Sequence, residues 1–292
     1  MTLTTPRHLP PAERAAWSSR PARRPRRSWS ARIIGGIGEV LITLGILGLL
    51  FVVWELWWTG IEAESDRQDT LEEFYAQMPQ PPGGESAGES AGDQGPQPAD
   101  FEVCYTLEDG TEIGCAPIME QLASTGQVMA TLYAPRLGDQ WAAPVREGVA
   151  AEQIDRGGVG RYPSTQMPDQ PGNFAVAGHR NTYASMLGRQ DELQIGDRLY
   201  LVSPDGMYTY EVAQRQVVAP SQTEVLAPVP GQPGVDPETG MLTLTTCHPM
   251  YSNAERLIHH AQIVDFTPLG GEVPDELAHH EPIREMFYAG GA

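Results

Sequence analysis

The run from Ile33 to Trp58 constrains this chain more than any other stretch. Its 26 residues are apolar apart from Glu39, Glu55 and scattered Gly and Thr. As a helix rising about 1.5 Å per residue, it is roughly 39 Å long, enough to cross a bilayer with some tilt. Glu39 would then lie near the inner headgroups and Glu55 near the outer ones. Trp54, Trp57 and Trp58 would form an aromatic belt at the far interface. Residues 1–32 carry eight Arg and one Glu, a balance of +7, with no apolar periodicity, and read as a disordered basic leader. The positive-inside rule places that leader in the cytoplasm and everything after Trp58 outside the cell. A cleaved signal peptide is the rival reading. Against it, the run is longer than a usual signal core, and no small-x-small cleavage site follows directly.

Charge sharpens this division. The whole chain carries a formal −19, so removing the leader's +7 leaves −26 on the remainder. All 19 basic residues are arginine. No lysine is therefore present to act as a Schiff base or general base. An acid excess outside the membrane argues against nucleic acid, whose affinity rests on basic side chains neutralising phosphates, and is most simply a solubility feature.

Residues 59–100 read as a linker. Residues 61–78 are acidic with helical potential, and 79–99 are rich in Pro, Gly, Ser, Gln and Glu. Residues 101–129 form a hairpin elaboration. Cys104 and Cys115 flank Asp109-Gly110, a strong two-residue turn signal. In that register the two cysteines lie opposite each other, about 4.5 to 5.5 Å apart at Cα, within disulfide range. Outside the cell the pair is expected to oxidise. The chain has three cysteines, so Cys247 remains as the odd thiol, either a nucleophile or a buried inert residue.

Residues 130–268 carry the strand signals. Leu132–Ala134, Phe174–Ala177, Arg198–Ser203, Met207–Val212, Gln216–Val218, Leu242–Thr246 and Leu257–Phe266 are short apolar or alternating runs separated by Gly and Pro. Helical stretches are brief, near Gln121 and over Ala184–Leu193. Together they predict an all-β barrel or sandwich. Residues 269–292 lack strand signals and read as a polar tail or short capping helix.

The chemistry gathers around Leu242-Thr-Leu-Thr-Thr-Cys247-His-Pro, followed nine residues later by Arg256. Cysteine catalysis needs a thiolate, a proton shuttle and a group for the tetrahedral oxyanion. Cys247, His179 and Arg256 could supply these. His248 is a poor shuttle because adjacent side chains on a strand point to opposite faces. His259, His260, His279 and His280 show no spacing that demands a metal, and the chemistry needs no cofactor.

These residues give the chain a resemblance to the sortases, the membrane-anchored cysteine transpeptidases of Gram-positive cell surfaces. The resemblance covers residues 130–268 and rests on Thr-Leu-Thr-Thr-Cys247, Arg256 and the upstream Gly-His179. The nine-residue gap, the His-Pro after Cys247 and Gly172-Asn-Phe-Ala-Val-Ala-Gly-His-Arg180 are most similar to class E. It implies a closed eight-stranded β-barrel with short helices. Cys247 would attack the Thr–Gly carbonyl of a sorting signal on a secreted protein, of the form Leu-Ala-x-Thr-Gly. His179 would serve the departing and incoming amines, and Arg256 the substrate backbone and oxyanion. Tyr162 matches a tyrosine implicated in signal preference, and Thr246 is a further substrate or oxyanion contact. A half-buried loop aromatic and an ordinary strand threonine are the plain readings of these two. The acceptor is a cell-wall precursor amine or, in a pilin-polymerising enzyme, a lysine side chain. Two other readings stand beside this: a different Cys-His enzyme, and a non-catalytic, disulfide-stapled surface binding domain. The Ser-His-Gly-Cys pattern of L,D-transpeptidases is absent.

Overall fold

The computed structural model describes residues 29–79 and 98–289. The basic leader over 1–28, the Pro/Gly-rich part of the linker over 80–97 and the side chains of Glu55 and Trp57 lie outside the described residues. Contacts divide the chain into two units, Met1–Val52 and Val53–Ala292.

In the first unit the described residues belong to helix α1, Trp29–Ala76, which continues into the second. Arg32–Trp54 is the one described helix long and apolar enough to cross a membrane, by length and composition. Its leucines, isoleucines and valines are exposed, as a lipid-facing helix requires.

The second unit is built on a closed barrel in the order β10-β8-β7-β3-β4-β5-β6-β9. Its strands are β3 (Val128–Tyr133), β4 (Ala142–Glu147), β5 (Val159–Arg161), β6 (Gly172–Ala177), β7 (Arg198–Ser203), β8 (Gly206–Val218), β9 (Gly240–His248) and β10 (Glu255–Thr267). The β4/β5 and β6/β9 pairs are parallel and the other pairs antiparallel. Alternation does the sorting. Leu242 and Leu244 of β9, Phe174 and Val176 of β6, and Ala261 and Ile263 of β10 point inward into one core with Leu132, Leu201 and Tyr208. Barrel closure leaves no free edge.

Three segments read as peripheral in the sequence are packed onto this barrel. Residues 59–76, grouped there with the linker, are the last part of α1, and Ala63, Phe74 and Met78 are buried. The expected polar tail is instead a folded cover. Strands β11 (Glu272–Val273) and β12 (Tyr288–Ala289) pair in parallel around α4 (Glu281–Met286). Leu277, Ile283 and Phe287 join Phe74, Tyr133, Tyr200 and Val202 in a second apolar cluster. The reason lies in β3 and β7, which carry apolar side chains on both faces. Their outer face needs covering to stay out of water.

The hairpin of β1 (Val103–Thr106) and β2 (Glu112–Gly114) leads into α2 (Pro117–Gln121), and Cys104 is bonded to Cys115 with Cα atoms 5.0 Å apart. The turn differs from expectation. Leu107 N–H donates to Thr111 O at 2.8 Å, so the loop holds three residues, with Gly110 in the left-handed region at φ +92°. The shifted register pairs Tyr105 with Ile113, and a bulge at Cys104 restores the bond geometry.

Candidate active site

The site lies across the ends of three neighbouring strands. In the β9/β10 ladder Arg256 pairs directly with Cys247, and opposite residues share a face. Strand β6 runs parallel to β9 on the other side, ending with Ala177 against Thr245. Gly178 N–H continues that ladder to Thr245 O at 3.1 Å. Extended two residues past Ala177, that register would set His179 beside Cys247. The cysteine therefore stands in the middle, with histidine on one side and arginine on the other. Adjacent strands are about 4.8 Å apart, so all three backbones fall within side-chain reach of one substrate group.

The odd-numbered residues of β9 face outward with Cys247, and Leu242, Leu244 and Thr246 face inward. The two threonines therefore face opposite ways. Thr246 is buried, and its hydroxyl donates to Gly178 O at 2.8 Å. It fastens the backbone that leads into His179, away from the face a substrate reaches. Thr245 shares the outer face with Cys247, and its hydroxyl lies 3.1 Å from the Tyr162 hydroxyl. Tyr162 is half-buried, and its N–H donates to Ala175 O. The loop beneath it is pinned by a buried ion pair, Arg161 to Glu147 at 2.8 Å, and Arg161 also donates to Thr165 O. The Thr165 hydroxyl in turn holds Tyr162 O at 2.7 Å.

His179 begins the irregular segment after β6. Its Nε2 lies 2.6 Å from Asp155 Oδ1, and its ring stands 5.0 Å from that of Tyr183. Tyr183, Ala184 and Ser185 all have positive φ, near 50–60°, an uncommon conformation for residues other than glycine. Leu187 N–H returns to His179 O at 3.0 Å and closes the loop. Arg256 is half-exposed. One terminal nitrogen is bonded to Asn253 O and Glu255 O, at 3.0 and 2.9 Å.

His248 is turned from the thiol as strand geometry requires, and its Nδ1 meets Arg180 Nη1 at 2.7 Å. Arg180 is a residue the sequence reading quoted without assigning a role. Buried at 3% exposure, it pairs with Asp191 at 3.0 Å and donates to Cys247 O at 3.3 Å. It ties the end of β9 to the loop after His179. A charged side chain beside the Gly-His pair was visible in the sequence, but its partners are 11 and 67 positions away.

His259 and His260 sit deeper. His259 faces inward against Gln190, 3.0 Å from its amide, and His260 faces outward, 2.7 Å from Thr243 Oγ1. Thr243 donates to Asn173, whose amide holds Val225 O and Ala227 O. This chain of bonds fixes the Thr223–Leu226 turn beside the outer face of β9 and β10, where Val225 packs on Ile258. Burial pushes both imidazoles down to about 4, so they are neutral: His259 Nδ1 accepts from the Gln190 amide, and His260 Nδ1 donates to Thr243. Among the described residues no group of three or more His, Cys, Asp and Glu is placed to hold a metal.

Comparison with known proteins bears on the same region. A family model described as the Sortase domain matches residues 132–264. Sortase SrtE1 of Streptomyces coelicolor is 32% identical over 251 residues, covering 82% of this chain and 60% of that protein. The chain thus spans well under two thirds of that relative's length. Sortase SrtE2 of the same organism is 27% identical over 269 residues, covering 89% and 93%. Among solved structures, the SrtA sortase from Actinomyces oris superposes with a TM-score of 0.52 at 32% identity, covering 55% of this chain and 91% of that one.

Proposed function

The chain belongs to the sortase family, and on that premise we propose that it is a membrane-anchored cysteine transpeptidase. It cleaves a Leu-Ala-x-Thr-Gly-like sorting signal between Thr and Gly and transfers the acyl group to a cell-wall amine. The observation that supports this reading is the ladder pairing of Cys247 with Arg256, with β6, the strand that leads into His179, on the other side of β9. The Cys247 thiolate attacks the Thr carbonyl. Arg256, the ladder partner of Cys247, stabilises the oxyanion through its guanidinium. His179 protonates the departing glycine amine and later takes a proton from the incoming amine. Tyr162 and Thr245 line the same face and are proposed to contact the signal upstream of Thr. Thr246 acts by holding Gly178. The apolar Arg32–Trp54 segment supports a single membrane span, and the eight leader arginines support a cytoplasmic N-terminus with the barrel outside.

The test uses the full chain in detergent with Leu-Ala-x-Thr-Gly and Leu-Pro-x-Thr-Gly peptides and a glycine amine. A thioester on Cys247 and a ligated product are expected, with the Leu-Ala peptide the better donor. Cys247→Ala should abolish both. Arg256→Lys should reduce kcat/KM by about 100-fold, because ammonium lacks the planar fork. No cleavage of either peptide, or cleavage that survives Cys247→Ala, overturns the reading. A lysine side chain that outcompetes the glycine amine would move the assignment to pilin polymerisation.

A further inference from the structure

The contact that stands out beyond the Cys-His-Arg set is the one between His179 and Asp155. Asp155 Oδ1 is 2.6 Å from His179 Nε2, short for an N–H···O hydrogen bond and in keeping with a charged partner. Both side chains are about a quarter exposed, 25% for His179 and 29% for Asp155, so the pair sits at the rim of the site within reach of substrate. The carboxylate is firmly seated. Asp155 closes α3 (Ala151–Ile154), with its N–H bonded to Ala151 O at 2.9 Å. The next residue, Arg156, meets Asp66 of α1 at 3.8 Å. Gly157, at φ +69°, lets α1 approach so closely that a Cβ there would stand 2.1 Å from Ala63 O. The segment that aims the carboxylate is thus held between α3 and α1. The Tyr183 ring also stands 5.0 Å from the imidazole, tilted by 36°.

We propose that Asp155 is a positioning residue for His179, fixing which ring nitrogen carries the exchangeable proton. The proposal rests on the sortase reading above. With Nε2–H donated to Asp155, the free lone pair lies on Nδ1. Nδ1 then takes the Sγ–H proton of Cys247, giving thiolate and imidazolium. After the thiolate has attacked, the same Nδ1–H passes its proton to the glycine nitrogen as the C–N bond breaks. The carboxylate accepts the Nε2–H throughout; it stabilises the imidazolium and prevents the ring from turning. The sequence hid this residue because Asp155 lies 24 positions before His179 in a segment with no motif of its own.

The test has two arms, both on the full chain in detergent. In the first, histidine ring nitrogens are labelled with ¹⁵N and the His179 signals are identified by their loss in His179→Gln. The wild type should show a slowly exchanging, downfield Nε2–H proton that disappears in Asp155→Ala. This arm needs no substrate, so it decides the placement of the proton even for a chain that cleaves no peptide. In the second, Asp155→Asn and Asp155→Ala should lower kcat by at least about tenfold with KM unchanged, and Asp155→Glu should recover part of the loss. Melting curves of the three variants identify any that fail to fold, and the NMR arm of the wild type stands without them. A wild type with no such proton overturns the proposal. So does a set of folded variants with undiminished kcat, or with kcat and KM altered alike in Asn, Ala and Glu.

Discussion

The two adjacent histidines of β10 show how a single strand assigns opposite tasks to identical side chains. His259 points into the barrel and His260 out of it, and both are only 1% exposed. Burial lowers each imidazole to about 4 from an unfolded value near 6.5; Arg215 adds to this at His259, and His259 at His260. Between those two pH values the unfolded chain takes up protons that the folded one refuses. The stability they confer is therefore complete above pH 6.5 and lost as pH falls from 6.5 toward 4. Thermal melts across that window should show a steep decline, and a His259→Gln, His260→Gln double variant should show a shallower one. Equal slopes would mean that other groups govern the acid transition. Cys247, the odd free thiol, His179 and Arg256 were legible as candidates in the sequence because their types announce a chemistry. Asp155 and Arg180 were not, since an aspartate or arginine in a loop reads as a solvated charge until its partner is placed.

At the scale of elements, the second half of α1 is the main surprise. Its acidic sequence resembles a tether, but one face carries Ala63, Leu71 and Phe74 onto the barrel, and Met78 just past its end is buried too. Arg67 donates to Ala142 O at 2.9 Å, and the Tyr75 hydroxyl meets that of Tyr133 at 2.5 Å. Phe74 stands edge-on to Tyr75 at 5.5 Å. Phe74→Ala should cost about 3 kcal/mol in denaturant unfolding, a large fraction of a typical domain's stability. A loss below about 0.5 kcal/mol would show that this helix is dispensable to the fold. A chain beginning at residue 100 gives up all these contacts, and with them the Asp66 and Ala63 supports of the Asp155 segment. Strands and turns were readable from alternation and Gly/Pro punctuation. The α1 and C-terminal covers were not, because their apolar residues are diluted among charges and find a partner only through distant strands.

At the scale of the molecule, residues 53–292 form a contact unit of their own. A chain lacking residues 1–52 should therefore leave the membrane fraction, stay folded and cleave the peptide at an unchanged rate. Retention in membranes would point to another anchoring surface, and loss of cleavage would give the first 52 residues a part in catalysis.

The sequence by itself determined the apolar span, the paired and unpaired cysteines and the all-β character of the barrel. These follow from local composition and period, which no distant contact can alter. The tertiary structure alone decided which threonine shares the outer face with Cys247, that Asp155 meets His179, and that the acidic stretch after the span packs on the barrel. Each depends on register between strands far apart in the chain, and a shift of one residue in that register would exchange the faces.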